Sequence, residues 1–198
     1  MKKLAALLIA LNVVAMTAAT YSSPRPADPY AADIALTGEY KPFSDNSTLK
    51  SGYKHNDSIV IPAKYDFTLD FSEGLAAVIT GGKYGFIDKC GNMVIPAKYD
   101  IANYFSEGLA AVLTGDKWGF IDKSGNMVIP VIYDFAWHFS EGLAQVVTGG
   151  KRGFIDKCGN MVIPAKYDYA MHFCNGKTLV VLNGRYFYID RNGNELMS

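Results

Sequence analysis

A motif that returns at a fixed spacing constrains the fold of this chain more than any other feature. The segment IPAKYD at 61–66 recurs at 95–100 and 163–168, and as IPVIYD at 129–134, so successive starts differ by 34 residues. A phenylalanine keeps the same register in each unit: Phe71, Phe105, Phe139 and Phe173. A period this regular indicates stacked repeats, because one short unit cannot bury its apolar face alone.

The residues between the repeated motifs predict strands. In the second unit, LAAVLT (109–114), WGFID (118–122) and MVIP (127–130) are separated by GDK and KSGN. Runs of this length, rich in Val, Ile and Phe and bounded by Gly, Asp and Asn, are typical of strands and tight turns. Each unit is therefore predicted to hold three short strands and a connector. We expect one helical turn within 97–107, with Asp100 as its N-cap.

These patterns predict an all-β fold in which tandem 34-residue, three-stranded antiparallel repeats stack as an open, solenoid-like array. The alternative is a small closed ring resembling a propeller. The open array is favoured because the unit is shorter than a typical propeller blade of about 40–45 residues.

The N-terminal region predicts export. Residues 1–19 combine Lys2 and Lys3, an apolar stretch and a small-residue cleavage site, as in a Sec-type signal peptide without a lipobox cysteine. We expect a periplasmic or secreted protein with no membrane span after cleavage. Residues 20–52, rich in Pro and small polar residues, are predicted to be a flexible linker, with packing of 34–36 or 40–43 as a cap left open. Residues 53–198 are predicted to be the repeat domain, with four repeats and an N-terminal half unit.

The charge balance bears on the class of partner, and the number of cysteines bears on possible disulfide bonds. Lys and Arg number 19 and Asp and Glu number 19, so the basic excess typical of nucleic-acid binders is missing. Three cysteines in a chain predicted to be exported leave one unpaired at least. A bridge between Cys158 and Cys174 is left open, since geometry cannot be read from spacing.

The unit resembles a known repeat. The segment KWGFIDKSGNMVIPVIYDFAWHFSEGLAQV (117–146) is similar to the WG repeat, also called the KWG repeat, of many bacterial exported proteins. Trp118-Gly119 matches the name-giving pair and Tyr84-Gly85 is a mild variant, whereas Arg152-Gly153 departs from it and Tyr186-Phe187 loses the glycine. The resemblance implies a β-rich repeat module and brings no set of catalytic residues.

The recurring acids have a structural interpretation. Asp residues adjoin the turns of every unit, where a carboxylate bonds backbone N–H groups. Glu73, Glu107 and Glu141 are copies of one turn residue rather than the asymmetric pair that acid–base catalysis requires. No catalytic residue and no cofactor is predicted, and we expect a protein that is not an enzyme. His138 and His172 are the best metal candidates, but units expected about 10–15 Å apart would separate them, so no metal site is predicted.

The connector after each YD pair varies in sequence, while the motifs on either side of it repeat. If the connectors emerge on one side of the stack, Tyr104, Trp137, His138 and His172 form a stripe suited to gripping a partner. We therefore expect an exported, non-enzymatic repeat module that binds a protein or cell-envelope partner. In the alternative, aromatic hairpins bind carbohydrate or cell wall through Tyr84, Trp118 and Tyr186.

Overall fold

The computed structural model describes residues 39–197, and every regular element in that range is a β-strand. The predicted signal peptide and the predicted linker up to residue 38 lie outside the described residues. Within the described part of the chain, no helix has the length and hydropathy needed to cross a bilayer.

The strands form five antiparallel sheets in which consecutive strands are neighbours. The first sheet contains β1 (Tyr40–Asp45), β2 (Lys50–His55) and β3 (Ser58–Tyr65). The second contains β4 (Phe67–Thr68), β5 (Ala76–Thr80), β6 (Lys83–Ile87) and β7 (Met93–Tyr99). The third contains β8 (Ile101–Ala102), β9 (Leu109–Thr114), β10 (Lys117–Asp122) and β11 (Met127–Tyr133). The fourth contains β12 (Phe135–Ser140), β13 (Leu143–Thr148), β14 (Lys151–Ile155) and β15 (Met161–Tyr167). The fifth contains β16 (Tyr169–Ala170), β17 (Lys177–Leu182), β18 (Arg185–Asp190) and β19 (Glu195–Leu196).

The all-β prediction and the open array of antiparallel repeats are confirmed, since none of these five sheets closes on itself. The strand count per unit differs from the prediction, because each connector adds a further strand at the edge of the sheet, two residues long in β4, β8 and β16 and six residues long in β12. In the third sheet, Ile101 pairs with Leu113 and Ala102 with Val112. The helical turn predicted within 97–107 is therefore wrong: its backbone pairs with β9 instead of closing a local turn.

Consecutive sheets pack face to face, and the core lies between them as four clusters of buried side chains. Each inner sheet is covered on both faces. In the second sheet, Ala76 and Val78 pack against the first sheet, whereas Leu75 and Ala77 pack towards the third. Burial on both faces explains why LAAVIT is a continuous apolar run rather than an alternating one.

A pair of rings joins each sheet to the next. Phe120 of the third sheet and Phe139 of the fourth have ring centroids 4.9 Å apart, and both side chains are fully buried. The same pair recurs at the other three interfaces, as Tyr53–Phe71, Phe86–Phe105 and Phe154–Phe173. The phenylalanine that marks the repeat in the sequence is thus the residue that each unit inserts against its predecessor.

The glycine of the aromatic-Gly pair is required by close backbone packing. The outer strand β11 crosses so near to Gly119 that an added Cβ would lie 2.6 Å from the carbonyl oxygen of Ile129. Pairing of β10 with β11 shifts register on both sides of Phe120, as a bulge does. Only glycine fits under the outer strand at this point.

Residues 40–52 are part of the array, so the predicted linker boundary at 52 is wrong. Gly52 stands in β2 where Gly119 stands in β10, and its added Cβ would lie 2.3 Å from the carbonyl oxygen of Ile61. Lys50 bonds Asp66 across a separation of 16 residues, whereas the equivalent pair Lys117–Asp134 spans 17. A turn one residue shorter shifts the motif out of the 34-residue register, and Ser51 replaces the aromatic residue before the glycine.

The fifth sheet departs from the pattern of the others. Because β19 is only two residues long, no outer strand crosses the glycine position, and Phe187 occupies it. Arg185, which stands where the earlier units have a lysine paired with aspartate, pairs with Glu195. Tyr188 stands where the earlier units have a buried phenylalanine, and it is 47% exposed.

Gly119→Ala tests the close strand approach. We expect a loss of about 1–3 kcal/mol in the free energy of unfolding, since the outer strand must move away from the new methyl group. Gly115→Ala is the control: its φ is +67° but its added Cβ meets open space, so only backbone strain of about 1–2 kcal/mol applies. Amide hydrogen exchange separates the two, because β11 loses protection in Gly119→Ala alone. Equal protection of β11 in both variants would contradict this account.

Phe120→Ala tests the ring pair between sheets. Removal of a fully buried phenyl ring leaves a cavity against Phe139 and lowers the free energy of unfolding by about 3–5 kcal/mol. Tyr188→Ala removes a ring from the equivalent position of the fifth sheet, which is half exposed, and costs under about 1 kcal/mol. Chemical denaturation measures both, and similar losses would contradict the stacking model.

Candidate functional site

The structure brings the predicted connector residues together. Tyr104, His138 and His172 occupy equivalent places in three successive units, with ring centroids 5.0 Å apart for Tyr104–His138 and 5.9 Å for His138–His172. The indole ring of Trp137 lies 5.4 Å from that of His138. All four side chains are partly buried. We call this set of four residues the connector surface.

A local irregularity in β12 positions two of these side chains. The pairing with β13 gains one extra residue between Ala136 and Phe139. This bulge releases Trp137 and His138 from the regular alternation of the strand, while Ala136 and Phe139 remain fully buried. Two consecutive side chains therefore reach the surface where a regular strand would bury one of them.

The distance between units was predicted wrongly. An advance of about 10–15 Å assumed that strands add side by side. The units pack face to face instead, so equivalent connector side chains of successive units are in contact. The ring centroids of His138 and His172, for example, are 5.9 Å apart. The prediction that His138 and His172 lie too far apart to share a ligand is therefore wrong.

Hydrogen bonding and burial define the chemistry of the connector surface. The Tyr104 hydroxyl lies 3.0 Å from Nδ1 and 3.3 Å from Nε2 of His138. Burial lowers the pKa of His172 below its ordinary value, an effect that the nearby Glu141 carboxylate opposes. The surface thus combines flat apolar rings with hydroxyl and imidazole groups.

One residue of this region was missed by the sequence reasoning. The ring of Phe135 stacks with Trp137 at 5.8 Å and also contacts Trp118 of the preceding unit at 5.4 Å. It links the connector surface to the buried core. The sequence could have indicated it, because Phe135 directly follows the YD pair and the equivalent position of the next unit also holds an aromatic residue, Tyr169.

The hairpin aromatics do not form a common surface. Tyr84 and Trp118 are 9% and 6% exposed and belong to the core clusters, whereas Tyr186 is 70% exposed on the last sheet. A sugar ring needs an accessible aromatic face, so the predicted hairpin site is wrong for Tyr84 and Trp118. Arg152 takes the place of Trp118 one unit later, and its guanidinium lies 5.0 Å from the centre of the Tyr169 ring.

The recurring aspartates hold turns together. Asp122 accepts hydrogen bonds from the backbone N–H groups of Ser124 and Asn126 and from the Asn126 side chain, all at 2.9 Å. Asp100 accepts from Lys83 at 2.5 Å and from the N–H of Gly115 at 2.8 Å. Each contact recurs in the neighbouring units, as predicted from the turn positions.

The recurring glutamates join one unit to the next. Glu107, whose φ of +54° places it in the left-handed region, accepts from the N–H of Gly142 at 3.0 Å and pairs with Lys157 at 3.0 Å. Its neighbour Ser106 donates to the carbonyl oxygen of Phe139 at 2.8 Å. These carboxylates therefore connect successive units.

Among the described residues, the cysteines form no disulfide bond and the possible ligand residues form no metal-binding cluster. Cys90, Cys158 and Cys174 are all free and exposed, so the bridge left open between Cys158 and Cys174 is not formed. Between residues 39 and 197, no group of three or more His, Cys, Asp or Glu residues is placed to hold a metal ion.

Comparison with known proteins identifies the repeat. The WG containing repeat family matches residues 53–84, 84–118, 118–151 and 153–186. These segments cover more than half of the chain, so the protein belongs to this family. The resemblance predicted from the aromatic-Gly, ID, GN and IP motifs is confirmed.

Solved structures share the fold at low sequence identity. A crystal structure of "the eukaryotic initiation factor" superposes with a TM-score of 0.56 and 10% identity, over 82% of this chain and 52% of that one. KlHsv2 with loop 6CD replaced by a Gly-Ser linker gives 0.52 and 11%, over 79% and 58%. This chain thus spans little more than half of either structure. A comparison with curated protein sequences gives no match.

Acid should destabilise the array through its turn aspartates. The Asn126 side chain, followed by the backbone N–H groups of Asn126 and Ser124, holds the pKa of Asp122 below its ordinary value, and Asp88, Asp156 and Asp190 have equivalent partners. Because the folded pKa is the lower one, this stabilisation is present above the unfolded carboxyl pKa of about 3.9 and is lost as pH falls through the folded value.

Urea unfolding at several pH values tests this dependence. The free energy of unfolding should fall below about pH 4, and Asp122→Asn should make the fall smaller because an amide oxygen still accepts the turn hydrogen bonds. Asp116→Asn, which removes an exposed turn carboxylate without those hydrogen bonds, should leave the profile as it is. Identical profiles for Asp122→Asn and the unmodified chain would contradict the assignment.

Proposed function

We propose that this protein is an exported, non-enzymatic repeat module that binds a protein partner of the cell envelope through its connector surface. The observation that carries the proposal is the continuous run of rings from Tyr104 through His138 to His172, with Trp137 beside it. Three units contribute to it, and its residues vary while the residues that frame them repeat.

The composition of the connector surface suits protein recognition. Trp and Tyr supply rigid contact area with a polar edge, and such residues dominate the energetics of protein interfaces. Tyr169 and Met171, in the same connector as His172, are each 45% exposed and extend the apolar area. The imidazoles and the Tyr104 hydroxyl add directional hydrogen bonding at its centre.

Carbohydrate or cell-wall binding is the competing proposal, and the burial of Tyr84 and Trp118 weakens it. A glycan would have to use the connector surface instead of the hairpins. The two proposals then differ in the chemistry of the partner and can be separated by one binding assay.

Site-specific photocrosslinking, together with co-sedimentation, tests the proposal. A photoreactive residue replaces Trp137 in the connector surface, and the matched control replaces Met127, which is 45% exposed on the outer strand β11. We expect crosslinks to one defined protein from position 137 only, and co-sedimentation with glycan-stripped cells of the source organism. Sedimentation with isolated, protein-free cell wall alone would overturn the protein proposal in favour of a glycan.

Alanine substitution measures the contribution of the rings. Tyr104→Ala combined with Trp137→Ala should weaken partner binding by about 30-fold or more, which corresponds to at least ~2 kcal/mol for interface hot spots. The control pair Met127→Ala and Val128→Ala removes exposed apolar side chains from β11 and should leave binding unchanged. Far-UV circular dichroism monitors folding. If the Tyr104/Trp137 variant unfolds, these residues belong to the core and the proposed surface is wrong.

A further inference from the structure

We infer that His138 and His172 together bind one divalent transition-metal ion of the kind that prefers imidazole ligands, such as Cu²⁺, Ni²⁺ or Zn²⁺. The inference goes beyond partner binding and does not depend on it. It starts from the contact between the two imidazoles, which lie on successive units yet have ring centroids 5.9 Å apart at an interplanar angle of 40°.

This separation suits a shared ion. A ring nitrogen binds zinc at about 2.0–2.1 Å, so two imidazoles on one ion have ring centres on the order of 5–6 Å apart. The stacking of the units holds the two residues at this distance, because each connector is anchored by a buried phenylalanine, Phe139 beside His138 and Phe173 beside His172. The pair is thus set by the fold and needs no rearrangement of strands.

Tyr104 is the positioning residue of the pair. Its hydroxyl lies 3.0 Å from Nδ1 and 3.3 Å from Nε2 of His138, and this contact limits rotation of the ring; when one nitrogen binds the ion, the hydroxyl bonds the other. Metal-binding histidines commonly bond an oxygen group through their second nitrogen, which sets the tautomer and raises ligand basicity. Water molecules complete the coordination, since the side chains at this place supply two nitrogen ligands.

The local electrostatics favour a cation. Metal binding requires neutral imidazoles, and His172 is the one with a charged neighbour. The carboxylate of Glu141 interacts electrostatically with the same ring, so a positive ion at the pair would have a negative charge nearby. With two imidazoles and no thiolate, the affinity should follow the order Cu²⁺ above Ni²⁺ and Zn²⁺.

Calorimetric titration of the metal-free full chain with each of these ions tests the inference. We expect one Cu²⁺ per chain, and a Kd raised at least tenfold by either His138→Ala or His172→Ala. The chain has three histidines, and His55→Ala is the matched control because His55 stacks on Tyr40 in the first sheet. Loss of affinity in His55→Ala equal to that in His172→Ala would overturn the inference, as would the lack of a one-to-one site for any of the three ions.

Two readouts do not depend on substitution of a histidine. Trp137 lies 5.4 Å from His138, so Cu²⁺ should quench its fluorescence, and Trp137→Phe, which leaves only the buried Trp118, should remove most of that quenching. In the unmodified chain, substoichiometric Cu²⁺ should broaden the imidazole NMR signals of His138 and His172 before those of His55. Simultaneous broadening of all three histidines would contradict a specific site.

Discussion

The ring pair between consecutive sheets is the interaction on which the rest of this structure depends. A sheet of three or four short strands has two apolar faces and covers neither by itself. Contacts such as Phe120–Phe139 bury those faces against the neighbouring unit. Face-to-face packing also brings equivalent connector residues of successive units close together, so the contacts within the connector surface follow from the same packing.

Many residues that look reactive in the sequence serve this frame. The turn aspartates satisfy backbone N–H groups that would otherwise face water without a defined partner, and the glutamates bond the glycine N–H of the following unit. Lys83 at the start of β6 pairs with Asp100, which directly follows the neighbouring strand β7. Repetition of a carboxylate at every unit is therefore the mark of a structural role, whereas the proposed function depends on the connector residues, which differ between units.

Membership of the WG repeat family accounts for the repeated residues, and both proposals depend on the positions that vary between units. The proposed partner binding and the inferred metal binding use the same rings for different reasons. Trp137 and Tyr104 offer flat contact area, while His138 and His172 offer nitrogen ligands at a fixed separation. An ion held between two units would also brace the connectors against each other, which would make the surface more rigid for a partner.

The sequence by itself determined the period, the strands and most of the turns, because these depend on local preferences: apolar runs form strands, and Gly, Asp and Asn form turns. It also singled out the four residues of the connector surface. It missed the strands within 40–52, since a turn one residue shorter and Ser51 in place of an aromatic residue disguise the motif. Tertiary structure alone decided that Tyr84 and Trp118 are buried and that His138 and His172 are in contact. Both depend on how neighbouring units stack, and no local pattern encodes the distance between two faces.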